Sequence, residues 1–90
     1  MDNELQRQGV ETRQNIYDFL VKFITENGYA PSFREIADGT GLKSKAYVYN
    51  HLQILEMLGK IHMEKNKPRA ISLTGYKFIK VKWVYDYSAW

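Results

Sequence analysis

Hydrophobic residues recur at helical spacing over the first two thirds of this chain and at alternate positions after that. Ile16, Phe19, Leu20, Phe23 and Ile24 follow i, i+3, i+4, i+7, i+8, which predicts an amphipathic helix with one apolar stripe. Its polar face holds Arg13, Gln14, Asp18, Lys22 and Glu26. Thr12 offers an N-terminal cap, and Asn27-Gly28 supplies residues that accept the left-handed backbone needed to end it. An aromatic stripe at this spacing is core packing rather than a ligand box. Residues 1–10 are aperiodic apart from Leu5 and Val10 and read as a loose arm.

Two shorter helices follow. Ser32 with Glu35 three positions on is a capping box, and Pro31 before it feeds the cap an extended chain. Gly39 and Gly41 are expected to end this helix after about two turns, too short to stand alone. A second start falls at Ser44, after which Val48, Leu52, Leu55 and Leu58 share a face until Gly59. The opposite face carries Lys45, Ala46, Tyr47, Tyr49, Asn50 and Gln53, with no carboxylate before Glu56. A short helix, a tight turn and a second helix with a polar, acid-free face form the pattern of a helix-turn-helix, which lays its second helix in a DNA major groove.

The period then changes to two. Ile61 to Glu64 and Ala70 to Leu73 alternate around the tip Lys65-Asn66-Lys67-Pro68-Arg69, predicting a hairpin with a basic end. A helix-turn-helix followed by a hairpin is the winged-helix plan. From Tyr76 to Tyr87, Ile79, Val81, Trp83, Tyr85 and Tyr87 occupy alternate positions and predict one long strand with an aromatic face. Such a face either closes over the domain's own sheet or pairs with a second copy. The expected fold is therefore α+β: a winged helix of three helices plus a hairpin wing, with an added C-terminal strand. It divides into an arm (1–10), the winged helix (11–75) and the aromatic strand (76–90).

Ninety residues, 44% hydrophobic and 26% charged, suit one globular domain with a modest core. Cysteine is absent, which excludes disulfides and thiolate metal sites and suits a cytoplasmic protein. Charged residues interrupt every apolar stretch before the roughly 20 residues a membrane span needs. Net charge of +3 conceals an asymmetry: residues 1–42 hold four Lys/Arg against seven Asp/Glu, and residues 43–82 hold nine against two. A positive surface that begins at the second short helix suits a polyanion. No nucleophile, metal or phosphate-binding pattern accompanies it, and His51 and His62 are read as structural, so neither catalysis, a cofactor nor a small-molecule substrate is expected.

These residues also carry a resemblance. Thr12-Arg13-Gln14, the block Asn27-Gly28-Tyr29-Ala30-Pro31-Ser32-Phe33-Arg34-Glu35-Ile36-Ala37, Gly41-Leu42-Lys43-Ser44, His51-Leu52, Gly59-Lys60-Ile61 and Lys67-Pro68-Arg69-Ala70-Ile71 follow one another at spacings similar to those of the DNA-binding domain of LexA-type repressors. The resemblance runs from about Thr12 to Leu73. It implies a repressor that binds double-stranded, palindromic operator DNA as a dimer, in the cytoplasm at the nucleoid.

By the same resemblance, base-reading positions fall at Ser44, Ala46, Tyr47, Tyr49 and Asn50, where several residue types differ from the family's, so the family's usual operator does not carry over by default. Among these, Asn50 is the first choice for a base, since its amide suits adenine N6 and N7. Ser32, Arg34, Lys43, Lys45, Lys65, Lys67 and Arg69 are the candidates for the DNA backbone. Members of the family continue into a self-cleaving Ser-Lys peptidase domain that also supplies the dimer. These ninety residues do not include it, so self-cleavage is not expected of them, and Trp83, Tyr85 and Tyr87 are the expected homodimer contact. Two other readings fit the pattern: a winged helix that docks a protein as an accessory or antirepressor factor, and a fragment of a longer repressor.

Overall fold

The computed structural model describes residues 4–79 and 82–86. Its elements run α1 (Glu4–Asn27), α2 (Phe33–Thr40), α3 (Lys45–Met57), β1 (Ile61–Met63), β2 (Ile71–Leu73), β3 (Tyr76–Ile79) and β4 (Lys82–Tyr85). α1 packs on both α2 and α3, which pack on each other, and β1 lies against α3. The core is a single cluster: Ile16, Leu20 and Ile24 of α1 meet Ile36 and Ala37 of α2, Val48, Leu52 and Leu55 of α3, and Ile61, Ile71 and Leu73 of the first hairpin. α1 and α3 therefore contribute to the core most of the stripe their hydrophobic period assigns to it.

Both short helices start where their caps require. Ser32 accepts from the Glu35 amide at 3.1 Å while the Glu35 carboxylate accepts from the Ser32 amide at 2.8 Å, completing the capping box. Gly41, at φ 75°, closes α2 in the left-handed conformation and donates to the Ala37 carbonyl. Ser44 caps α3 through the Tyr47 amide at 3.3 Å.

Four features differ from the sequence expectations. α1 begins at Glu4 rather than at Thr12, so the expected loose arm is largely helix. Glu, Gln and Arg favour helix without needing burial, so an aperiodic polar run can extend a helix into solvent. Gly39 sits inside α2 and does not end it; a Cβ there would lie 2.1 Å from the Phe19 ring, so glycine is required by close packing. α3 stops at Met57, leaving Leu58 as an exposed cap, and His51 takes a buried place instead.

The fourth concerns the C-terminal stretch, which is strand but in two pieces. β3 and β4 pair antiparallel, with Tyr76 opposite Tyr85 and Phe78 opposite Trp83. The register sets even positions of β3 against odd positions of β4, so the alternation shifts phase between them, and no glycine or proline between Ile79 and Lys82 marks the reversal. Pairing within the chain gives each strand's backbone a partner that a lone strand would lack. β4 packs on α1, Trp83 lies half-buried against the core, and Tyr85 meets Tyr76 edge-on at 5.2 Å. Two of the three residues expected at a dimer contact are thus engaged within their own chain; Tyr87, like Trp90, lies outside the described residues.

Candidate nucleic-acid interface

α3 is anchored from behind and open in front. Val48 and Leu52 are fully buried and Leu55 nearly so, and they fix the helix rotation. Ser44, Lys45, Ala46, Tyr47, Tyr49, Asn50 and Gln53 then stand exposed together, with no acidic residue in the first turn. The five expected base-reading positions are thus all exposed. Positive helix dipole, cap and lysine coincide at its start, which favours an anion there.

The two tyrosines are held by neighbours. Tyr47 meets the His51 ring edge-on at 4.8 Å, and Tyr49 packs on Phe33 at 5.7 Å between centroids. Both remain more than two-fifths exposed, so their hydroxyl ends face outward on pre-set rings. Behind Tyr47, Arg13 reaches the His51 Nδ1 at 3.5 Å. Burial first, and Arg13 second, depress the His51 pKa and keep the ring neutral. His51 accordingly supports the Tyr47 ring on the exposed side of α3. His62 lies 3.6 Å from Glu56, and no cluster of three metal-binding side chains occurs among the described residues.

The β1–β2 hairpin reaches past this face. Lys65 and Lys67 are exposed at its tip, where Asn66 (φ 63°) and Arg69 (φ 53°) take left-handed backbone. Lys67 pairs with Glu64 at 2.8 Å, which lowers the Glu64 pKa and raises that of Lys67. Arg34, Lys45 and Lys67 line one cleft of about 320 Å³ between the starts of α2 and α3 and the hairpin. Cations from three separate elements therefore converge on one concave surface. Beside it, Phe33, Tyr49, Lys65 and Asn66 line a second cleft of about 550 Å³ between α3 and the hairpin tip. Arg34, Lys43, Lys45 and Lys65 are exposed and form no ion pair with another described residue.

Two of the expected backbone-contact residues have other employment. The Ser32 hydroxyl is part of the α2 cap. The Arg69 guanidinium, exposed and lining the first cleft, turns back on the start of α2, donating to the Glu35 carboxylate at 2.6 Å and the Ala30 carbonyl at 3.1 Å, with the Tyr29 ring 5.0 Å away. Glu35 and Glu56 were not foreseen as links to the hairpin. Glu56 accepts from the Met63 amide at 2.8 Å and so ties β1 to α3. Only its place as the first carboxylate on the polar face of α3 hinted at a special role.

Comparison with known proteins agrees with this geometry. The profile described as the LexA DNA binding domain matches residues 6–70, which takes in all three helices and the basic tip. The chain belongs to that family. The LexA repressor of Caldicellulosiruptor saccharolyticus is 40% identical over 74 residues, covering 82% of this chain and 37% of the relative. The LexA repressor of Bacillus cytotoxicus is 42% identical over 69 residues (77% and 34%), and that of Staphylococcus epidermidis 37% over 75 residues (83% and 36%). The chain spans about a third of the length of the curated relatives it matches. Every expected base or backbone position falls inside the LexA-matched segment, whereas the β3–β4 hairpin lies beyond it. No described helix is long and apolar enough to cross a membrane.

Proposed function

We propose that this chain is the sequence-reading module of a transcriptional repressor, binding double-stranded operator DNA with α3 in the major groove and the β1–β2 hairpin on the flanking backbone. The observation that carries this reading is the exposed face of α3, free of acid in its first turn and bordered by Lys43 and Lys45, in a chain of the LexA DNA-binding family. Lys45 shares one cleft with Lys67 of the hairpin, and Tyr49 a second with Lys65 and Lys67. Asn50 reads adenine through its amide, Ala46 and the Tyr47 and Tyr49 rings meet thymine methyls or neighbouring edges, and Ser44 serves the start of α3 and a phosphate together. Arg34, Lys43, Lys45, Lys65 and Lys67 neutralise phosphates, so affinity falls steeply with salt.

Two copies on a palindromic site would set their α3 helices one DNA turn apart, roughly 34 Å. Because Trp83 and Tyr85 serve the chain's own packing, the pairing of copies rests on the half-sites rather than on that aromatic face. This action places the protein in the cytoplasm, at the nucleoid.

Fluorescence anisotropy with a pool of random duplexes, followed by selection of the bound fraction, tests the reading. We expect binding that weakens with rising salt and enrichment of a bipartite sequence. Absence of binding at low salt would overturn it. Neutralising the tip with Lys65→Gln and Lys67→Gln is expected to make the salt slope shallower by at most about two units, roughly 0.9 for each phosphate that is no longer neutralised.

A further inference from the structure

The β1–β2 hairpin is short, with three residues in each strand, and residues 64–69 at its tip are exposed. A small two-stranded ribbon is marginal alone, so its position must be set by contacts to the helices. Apolar contacts hold its base, where Ile61, Ile71 and Leu73 enter the core. Polar contacts hold the outer half: Glu56 of α3 accepts from the Met63 amide on one side, and Arg69 reaches the start of α2 on the other. Its guanidinium bonds Glu35 at the start of α2 and the carbonyl of Ala30 just before it, and lies over Tyr29. Glu35 is itself fixed by the capping box, so Arg69 is tied to a rigid point. The Ser32 amide and then Arg69 hold the Glu35 carboxyl below the usual carboxylate range, so the pair stays charged near neutrality.

The backbone of Arg69 points the same way. A φ of 53° is disfavoured for a residue with a long side chain and persists only where surroundings over-determine it. Here three contacts from one side chain do so. The next residue, Ala70, supplies the carbonyl that accepts from the Glu64 amide at 3.1 Å and closes the tip. Release of Arg69 would therefore loosen the segment that carries Lys65 and Lys67.

We propose that Arg69 is a positioning residue: with Glu35, Ala30 and Tyr29 it forms a strut that sets the basic hairpin tip relative to the helix-turn-helix, and it is not itself a phosphate ligand. The proposal rests on the reading in which the hairpin lies on the DNA backbone. Glu35 is a suitable handle because glutamine also completes a capping box, so Glu35→Gln removes the charge and keeps the helix start.

The decisive variant is Glu35→Gln with Arg69→Gln, which leaves the net charge of the chain unchanged. Hydrogen exchange without DNA is expected to show the Glu64 amide exchanging about threefold faster or more, while amides in the core half of α3 keep their wild-type protection. Unchanged exchange at Glu64 would overturn the strut. Anisotropy with a fluorescein-labelled mixed-sequence duplex is expected to show binding weakened about threefold with the salt slope of the wild type. A slope shallower by about 0.9 would mean that Arg69 contacts a phosphate, which also overturns the proposal. The hairpin-on-backbone reading fails separately, if Lys65→Gln with Lys67→Gln leaves affinity and slope unchanged while the exchange result stands.

Discussion

α3 and the β1–β2 hairpin flank the same cleft and are held by opposite kinds of force. α3 is set by burial: Val48, Leu52 and Leu55 lock its rotation, and its outward face follows as a geometrical consequence. The hairpin is set at its outer half by directional polar links, Arg69 to Glu35 and Met63 to Glu56. Burial is strong and indifferent to salt, whereas exposed ion pairs are weak singly and screened by salt. The element proposed to choose sequence is thus the rigid one, and the element proposed to grip the backbone is adjustable. Changes behind α3 should act on stability first, and changes at the hairpin on binding first.

The largest expected effect comes from Leu52→Ala, which opens a hole at a fully buried position and should cost about 2–5 kcal/mol in denaturant unfolding. In a domain whose whole stability is on the order of 5–15 kcal/mol, that endangers the fold itself. A loss below about 1 kcal/mol would show that α3 is not fixed by this core. Gly39→Ala comes next, because the new methyl meets the Phe19 ring at 2.1 Å. The ring or the helix must shift, an overpacking cost of about 1–3 kcal/mol, although alanine favours helix more than glycine does. A stabilised variant would contradict the close approach of α1 and α2.

A smaller effect is expected from acid. Burial depresses the His51 pKa in the folded chain, so the unfolded chain takes up that proton first as pH falls. The stability linked to this group is fully present above the ordinary histidine value of about 6.5 and declines as pH is lowered through it toward the folded value. Thermal midpoints measured against pH should show that decline, and His51→Gln should flatten it. Equal slopes in the two proteins would remove His51 from the account. Since Tyr47 rests on this ring, the same protonation should loosen one side chain of the reading face.

The core of this fold was legible because burial writes itself into local periodicity. Ile16, Leu20 and Ile24, then Val48, Leu52 and Leu55, announce their helices within a few residues, and Ser32 with Glu35 announces a helix start to the residue. The exposed face of α3 followed, since what is not in the stripe must face outward. Local patterns failed where a partner lies far along the chain. Arg69 and Glu35 are 34 positions apart, and a basic loop gives no sign that one of its cations bonds back to a helix start. Gly39 looked like a stop signal because glycine has two uses, and only the position of Phe19 separates them. The reversal between β3 and β4 shifts the phase of the alternation from Tyr76 and Phe78 to Trp83 and Tyr85. It was hidden because the odd positions from Ile79 onward are apolar enough to read as one strand.

In the proposed complex the exposed side chains of α3 choose the DNA sequence while cations elsewhere supply affinity. Asn50→Ala tests it most directly, as this residue is exposed on α3 and carries no charge. Its affinity should be measured by anisotropy for the selected duplex and for a mixed-sequence duplex at one salt concentration. The account predicts that binding to the selected duplex weakens by the roughly 1–3 kcal/mol that one bidentate base contact contributes, with mixed-sequence binding unchanged. Equal loss on both duplexes, or loss on neither, would contradict it.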